Sequence, residues 1–460
     1  MRHTTATTRR TRTALAVLAG ACLTAAVLAP GTAAARPADG GTDWAVPAAG
    51  RPAPTTERVS LGAGGVQGNG PSYTVAVGPG GRSVTFLSDA DNLVPGDTDG
   101  ATDIFVRSLV TGRIERIELG RPGVDPVAAS VSADGRTLVV EVYRRDPDTG
   151  EPRDELLVHD RRTGRTRPLL PENPTAAGSG QAVISANGRF VAFQSARSDL
   201  VPGDTNKVAD IFVRDLRRGT TRRVNVYSDG TQAARAAASP TISADGGRVG
   251  FTSRTDLAAP VPEEPGPEKP GEARKPRFYP MFVHDLRTGR TVAASVSRDG
   301  TSAGATGPFL SADGRYAVYA STYTDLVPGD TNGKSDVFLR DLRRGTTTRI
   351  NLAPGGAQTE GGASYSAQLS ADGRTVVFES AAHNLVPGDT NNTYDLFARD
   401  LRTGAVELLT RTVDGPFTGY TGSVALDARA RTVVFDSDAD NLVTGDTNGA
   451  YDVFAVHRRR

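Results

Sequence analysis

One five-residue string recurs along the chain, and its spacing constrains the fold more than any other feature. S-A-D-G-R stands at residues 132–136, 311–315 and 370–374. Variants occupy 185–189, with Asn187 for the Asp, and 243–248, with one extra Gly; degenerate copies end at Arg82 and Arg431. The closing arginines are 82, 136, 189, 248, 315, 374 and 431, separated by 54, 53, 59, 67, 59 and 57 residues. A near-constant period of this kind marks a repeat architecture in which each repeat is one supersecondary unit.

Each unit reads as four strands, here labelled a to d. In unit six, Ala367-Gln368-Leu369-Ser370 is strand a, and Asp372-Gly373 is a tight turn that tolerates positive φ. Thr375 to Glu379 is strand b, Asp395 to Arg399 strand c, and Ala405 to Leu409 strand d, after a turn at Asp400-Leu401-Arg402-Thr403-Gly404. Strand b is apolar at consecutive positions, and Leu138-Val139-Val140 of unit two repeats this, so the strand is buried on both faces. Sheets stacked around an axis provide that environment, whereas a linear solenoid needs capping repeats that the sequence lacks. Unit seven ends in strand c, at residues 451–457, and has no strand d after it. The start of the repeat region, Thr55-Thr56-Glu57-Arg58-Val59-Ser60-Leu61, matches strand d of units three (220–226) and five (346–352). The expectation is an all-β fold: a seven-bladed β-propeller of four-stranded antiparallel blades over residues 55–460. An N-terminal strand completes the last blade, with residues 58–61 paired to 451–456.

The unit pattern S-A-D-G-R-x-V-x-F followed by D-V-F-x-R-D-L-x-x-G resembles the TolB-type β-propeller repeat across all seven units. The resemblance implies the fold and leaves the role open, because such repeats serve many functions. The chain departs from TolB proper in two respects. Residues 36–54 are too short for the α/β domain expected before its propeller, and the units number seven where TolB is expected to have six.

Ahead of the repeats, Arg9, Arg10 and Arg12 precede an apolar run from Ala14 to Ala29 and an A-x-A site at residues 33–35. This layout is that of a signal peptide over residues 1–35, which implies a secreted or extracytoplasmic protein with no membrane span after cleavage. Residues 36–54, with the lone Trp44, read as a flexible linker. The only cysteine, Cys22, falls in the leader, which excludes a disulfide framework and a cysteine nucleophile from the remainder. Lys+Arg 53 against Asp+Glu 52 shows no polyanion-binding bias, so nucleic acid is not an expected partner.

The most chemical motif lies between strands b and c, where five units carry [DN]-L-V-[PT]-G-D-T-[DN]-x-x-x-D. Each run opens on an Asp or Asn: Asn92, Asp199, Asp325, Asn384 and Asn441. The oxygen-bearing positions after it are Asp97, Asp99 and Asp103 in unit one, and Asp204, Asn206 and Asp210 in unit three. Unit five has Asp330, Asn332 and Asp336; unit six Asp389, Asn391 and Asp395; unit seven Asp446, Asn448 and Asp452. Such oxygens could serve a hard cation such as Ca²⁺, which takes 6–8 of them. They also suit plain turn chemistry, in which Asp and Asn cap free backbone N–H groups, and that reading is preferred here, with no cofactor required.

Histidine is scarce. Of five, His3 lies in the leader, His159 and His284 occupy the strand-c slot held elsewhere by Arg214, Arg340 and Arg399, and His457 aligns with the turn aspartates, leaving only His383 unplaced. There is no G-x-S-x-G elbow. The Pro-rich insertion of unit four (about 258–280) replaces its b–c loop. The b–c loops and d–a connections share one face of the blades and are the longer, more varied segments, so that face is the expected binding surface. The functional expectation is a monomeric, non-catalytic binding or interaction propeller with no catalytic residues, whose partner is a protein or a carbohydrate. The alternative is an extracellular hydrolase or lyase acting at the channel mouth.

Overall fold

Strands b and c are hydrophobic at successive positions, and the structure places sheets against both of their faces. In unit seven, strand b (Thr432–Ser437) is buried at every position and strand c (Asp452–His457) at all but the last. Alternate residues serve different neighbours. Val433, Phe435, Phe454 and Val456 pack with Val377 and Leu396 of unit six. Val434, Val453 and Ala455, interleaved with them, pack with Val84 and Phe86 of unit one. The same division of labour recurs from unit to unit, so each buried cluster joins two consecutive units. One cluster joins the last unit to the first.

These observations come from a computed structural model that describes residues 54–458 except 99, 122, 146–151, 172, 174–177, 260–278, 390 and 392. The expected leader, nearly all of the linker, Asp99 and most of the Pro-rich insertion lie outside the described residues. Among those described, no helix is long and apolar enough to cross a membrane.

The expected all-β propeller architecture is present. Each unit forms an antiparallel a-b-c-d meander. In unit six these strands are Gly361–Leu369, Thr375–Ala382, Asp395–Asp400 and Val406–Leu408. Strand a begins earlier than its apolar core suggests, because Gly361 to Ser364 also pair with strand b. Among the described residues there are five four-stranded sheets and one eight-stranded sheet. The larger sheet joins the strands of units four and five through a short pairing, Tyr279↔Ala305 and Pro280↔Gly304. The expectation of seven blades therefore rests on taking its two halves apart. Strands a of successive units are neighbours, and each carries one or two irregularities of register that bend it.

The N-terminal strand Thr55–Arg58 pairs antiparallel with strand c of unit seven, from Thr55↔His457 to Arg58↔Phe454. The pairing begins earlier in the chain than the expected residues 58–61. Val59 makes one more backbone bond, to Val453 at 2.6 Å. Ser60 then leaves the ladder: its hydroxyl donates to Asp452 at 2.5 Å and accepts from the Val453 N–H at 3.1 Å.

The recurring S-A-D-G-R string proves to be turn chemistry. In unit two the Ser132 hydroxyl donates to Asp134 at 2.6 Å, and Asp134 accepts the Arg136 N–H at 3.0 Å. The arginine that closes the string reaches the aspartate ending strand c: Arg136 to Asp160 at 2.9 Å, Arg189 to Asp215 at 2.7 Å and Arg315 to Asp341 at 2.6 Å. These arginines hold all three carboxyls down to about 2. The pairs are partly exposed and add little stability each. They tie the a–b turn to the c–d turn.

The closing strand carries a buried cation, Arg58, against Asp446 and Asp452. Removing one partner of a buried ion pair costs about 3–5 kcal/mol. Arg58→Ala is expected to lower the denaturant midpoint accordingly, and deletion of residues 54–60 to lower it further. Urea melts of the three proteins check this, and unchanged midpoints would show that the ring does not depend on this strand.

Candidate functional site

In four of the five acidic b–c loops, a guanidinium from strand d sits between the two conserved-position carboxylates of the loop. Arg349 Nη1 lies 3.2 Å from both Asp330 Oδ1 and Asp336 Oδ2. Arg223 Nη1 lies 3.3 Å from Asp204 Oδ1 and 3.5 Å from Asp210 Oδ2. Arg116 bridges Asp97 and Asp103 at 3.3 and 3.1 Å, and Arg58 bridges Asp446 and Asp452 at 3.1 and 3.5 Å. The strand geometry explains this convergence. Strand d runs back along strand c, so its arginine arrives beside the aspartate that starts strand c.

The remaining oxygens of these loops are also engaged. Asn351 donates to Asp336 Oδ1 at 2.5 Å and Asn225 to Asp210 Oδ1 at 2.5 Å. Asn332, Asn206 and Asn448 each donate to the strand-c aspartate of their own loop. Gln232 donates to Asp204 at 3.1 Å and Gln67 to Asp446 at 2.8 Å, which docks the d–a connection onto the loop. Burial outweighs these partners and pushes Asp210 and Asp452 up. Among the described residues no group of three or more acid, His or Cys side chains gathers as a metal-holding cluster.

The loop of unit six departs from this pattern. Leu408 stands where the other strands d have arginine, and Phe417 where the connections have Gln67, Gln232 and Gln358. Asp395 keeps the bond from Thr410 at 2.5 Å on Oδ1. Asn391 donates to the Phe417 carbonyl at 2.9 Å. Burial, with repulsion from Asp389, pushes Asp395 up to about 6.

The histidines follow the repeat. His159 and His284 contact Thr166 and Thr291 at 2.9 Å, as Arg214 and Arg340 contact Thr221 and Thr347 at 2.9 and 3.0 Å. Burial lowers His284 to about 4, which keeps it neutral at physiological pH. His457 pairs with Glu57 at 2.8 Å, and His383 lies 3.8 Å from Glu360.

Sequence reasoning missed a second feature, near the inner strands. Three strand-b acids, Glu141, Glu379 and Asp436, reach across to strand a of the following unit. Glu141 accepts the N–H of Gln181 at 2.8 Å, and Asp436 accepts those of Thr74 and Ser423 at 2.8 and 3.1 Å. Glu379 accepts the Thr421 hydroxyl. Gln181 and Ser239 adopt φ of 51° and 55°, and Ser239 donates its N–H to the Gln181 side chain at 2.8 Å. Glycine is required where the acids enter. A Cβ on Gly180 would lie 2.6 Å from Glu141 Oε1, and one on Gly422 would lie 2.0 Å from Asp436 Oδ2.

Tyrosines gather beside two of these acids. The Tyr73 and Tyr451 rings lie 6.0 Å apart, as do those of Tyr365 and Tyr394. Tyr420 is 65% exposed, and its N–H donates to Asp438 at 2.7 Å. Burial, then Asp438, Asp436 and the neighbouring Tyr73 and Tyr420, push the Tyr451 hydroxyl up to about 12, so it stays neutral at physiological pH. Asp89 adds its charge beside Tyr73. The chain has 11 tyrosines, and Tyr73, Tyr365, Tyr394, Tyr420 and Tyr451 all belong to units six, seven and one. Tyr73, Tyr394, Tyr420 and Tyr451 lie at the starts of strands a and c or just before them, and Tyr365 stands in strand a of unit six opposite Glu379. The available signal was the break in the repeat: Tyr394 and Tyr451 precede the strand-c aspartate, where Thr102, Ala209 and Ser335 stand in other units.

No protein-family model matches the chain, and no curated protein matches its sequence. Solved structures do match. An oligogalacturonate lyase from Vibrio parahaemolyticus aligns with a TM-score of 0.54 at 11% identity, covering 88% of this chain and 97% of its own. A second oligogalacturonate lyase structure, in complex with manganese, gives 0.53 at 14% identity, covering 89% of this chain and 98% of its own. The β-propeller domain of the Trilobed protease from Pyrococcus furiosus gives 0.50 at 11% identity, covering 84% and 95%. TolB from Acinetobacter baumannii is also matched, with a TM-score of 0.38 at 15% identity over 85% of this chain and 79% of its own. At such identities the likeness establishes the β-propeller fold and nothing of the chemistry.

Asp436 gives the site a pH signature. Burial pushes its carboxyl up to about 7, against an ordinary 3.8. A raised acid stabilises the fold fully below the unfolded value, and that contribution is lost as pH rises through the folded value. The melting temperature of the wild type should therefore fall between about pH 4 and pH 7 relative to Asp436→Asn. The amide keeps an acceptor for the Thr74 and Ser423 N–H groups. Parallel melting curves of the two proteins across that range would expose any error in this assignment.

Proposed function

We propose that this chain is an exported, non-catalytic binding propeller whose ligand docks on the tyrosine-rich face of units six, seven and one. The single observation that supports it most is the gathering of Tyr73, Tyr420 and Tyr451 beside Asp89, Asp436 and Asp438, with a second pair, Tyr365 and Tyr394, beside Glu379 of unit six. Aromatic rings with polar tips offer flat apolar faces and hydrogen bonds together. Carboxylates beside them accept hydroxyl and amine hydrogens. That combination suits a neutral or amine-bearing carbohydrate. The acids disfavour a polyanion, because bringing another negative charge into a poorly solvated acidic patch is repulsive.

The inner acids fit a structural task in this reading. Asp436 accepts two backbone N–H groups on Oδ1, and Glu379 is engaged by Thr421. Tyr451, held protonated, is no general base at physiological pH. The alternative is a hydrolase or lyase at the same mouth. The lyases with which the chain shares its fold make that reading worth an experiment, although identity of 11–14% carries no residue across.

Glycan-array binding with the wild type, Tyr451→Ala and Tyr420→Ala tests the proposal. The expected outcome is binding of neutral or amine-bearing glycans that weakens by roughly tenfold on loss of a ring, with no bond cleavage in the same glycans. Cleavage of a glycan would favour the enzyme reading. Selective binding of protein partners or polyanions, indifferent to both tyrosines, would overturn the site.

A further inference from the structure

Among the described residues, the carboxylate at one position of strand c is consistently given a cation, with one exception. The strand-c position equivalent by register to Asp103 of unit one is Glu155, Asp210, Asp336, Asp395 or Asp452 in units two, three, five, six and seven; unit four has Pro280. Glu155 takes Arg121 at 2.8 Å, and four of the aspartates take the strand-d arginine of their sheet. Only Asp395 lacks one among the described residues.

The orientation of Asp395 makes the exception informative. In units three, five and seven, Oδ1 accepts the hydrogen bond from Asn225, Asn351 or Ser60, and Oδ2 faces the guanidinium. Asp395 repeats this arrangement, with Thr410 on Oδ1. Among the described residues its Oδ2 has no hydrogen-bond partner, and the residue is only 1% exposed. The oxygen thus points to the position that a positive charge fills in the sister loops. Leu408, at the arginine position, packs into the apolar cluster of units five and six instead. Phe417, at the glutamine position, is itself buried. The second carboxylate, Asp389, is retained.

We propose that the unit-six loop is a site for a hard divalent cation of the calcium type, which takes the place of the missing guanidinium between Asp389 and Asp395. The arginine-filled loops of units one, three, five and seven are not such sites, because an internal cation already occupies them. An ion held by two carboxylates completes its shell with backbone carbonyls and water, as oxygen-rich Ca²⁺ sites do. The charge logic is also favourable. A buried Asp395 beside a half-buried Asp389 is costly when both are ionised and alone, and a divalent ion removes both the repulsion and the unpaired oxygen. Neutralisation by a proton is the competing solution: burial holds Asp395 at about 6, so the empty loop takes up a proton as pH falls.

The test uses the full chain with Ca²⁺ alone as the probe. Titration calorimetry in chelator-treated buffer at pH 7.5 should show one binding event per chain at millimolar or lower Ca²⁺. The melting temperature should rise by several degrees on adding Ca²⁺ and fall back with chelator, as linkage requires. Leu408→Arg restores the residue of the sister loops and is expected to abolish both effects while keeping the fold in chelator. Asp389→Asn should weaken binding by at least tenfold, and serves as a second variant should the arginine not be accommodated. Absence of binding in the wild type would overturn the proposal in favour of a protonated Asp395. Undiminished binding in either variant, or several equivalents bound, would overturn the assignment to this loop.

Discussion

Burial of strands b and c on both faces is the constraint on which the rest of the molecule depends. A sheet covered on one side alternates apolar and polar residues; these strands do not, so each sheet needs a neighbour on either side. The centre of most sheets is an aromatic pair across strands b and c. Examples are Phe86 with Phe105 at 5.6 Å, Phe193 with Phe212 at 5.8 Å and Phe378 with Phe397 at 5.9 Å. Such pairs add about 0.5–1.5 kcal/mol each beyond the area they bury. Unit two substitutes Val140 and Leu157 at the paired positions without losing the burial. Joining the first cluster to the last then requires a strand from the other end of the chain, which Thr55–Arg58 supplies.

Because the sheet faces are committed to packing, charge is confined to sheet ends, and there it serves to fasten strands. The outer strand d is short, as in Ile114–Arg116, and contributes few ladder bonds. Its arginine compensates by gripping two buried carboxylates of the b–c loop. The same side chain therefore anchors the outermost strand and orders a loop. The opposite end uses the arginine of the S-A-D-G-R string on the aspartate that ends strand c. The buried ion pairs of the b–c loops recover their desolvation cost only with good geometry and additional hydrogen bonds, and these are present in Asn225 and Asn351.

Much of this was legible in the residues. Consecutive apolar positions in strand b, Asp-Gly turns and the fixed period specify antiparallel sheets packed on each other. The likeness of residues 55–61 to strand d anticipated closure, although Ser60 leaves the ladder to cap Asp452. The histidine slot was readable because His159 and His284 make the hydrogen bond that arginine makes elsewhere. The partner of the loop acids was hidden. Arg223 and Arg349 stood in the strand-d strings, but only strand register shows that they reach Asp210 and Asp336. The joining of the sheets of units four and five through Pro280 is likewise a matter of register. The tyrosines were hidden for a different reason: residues from unit one and unit seven meet only once the ring is closed.

The replacements that form the two proposed sites fall together, apart from departures such as the aliphatic pair of unit two and the Pro-rich insertion of unit four. Leu408, Phe417, Tyr365, Tyr394, Tyr420, Tyr451 and Tyr73 all fall in units six, seven and one. A symmetric scaffold offers equivalent loops at every unit, so a ligand needs only a local set of replacements, and selection for binding leaves the rest of the ring to packing. The two proposed sites also share a segment. Tyr394 directly precedes Asp395 in the chain and lies against Tyr365. A cation that fixes Asp395 also fixes the backbone carrying Tyr394. A ligand that requires this ring in place must then bind more tightly to the occupied loop, and thermodynamic reciprocity makes the cation bind more tightly to the liganded protein by the same factor.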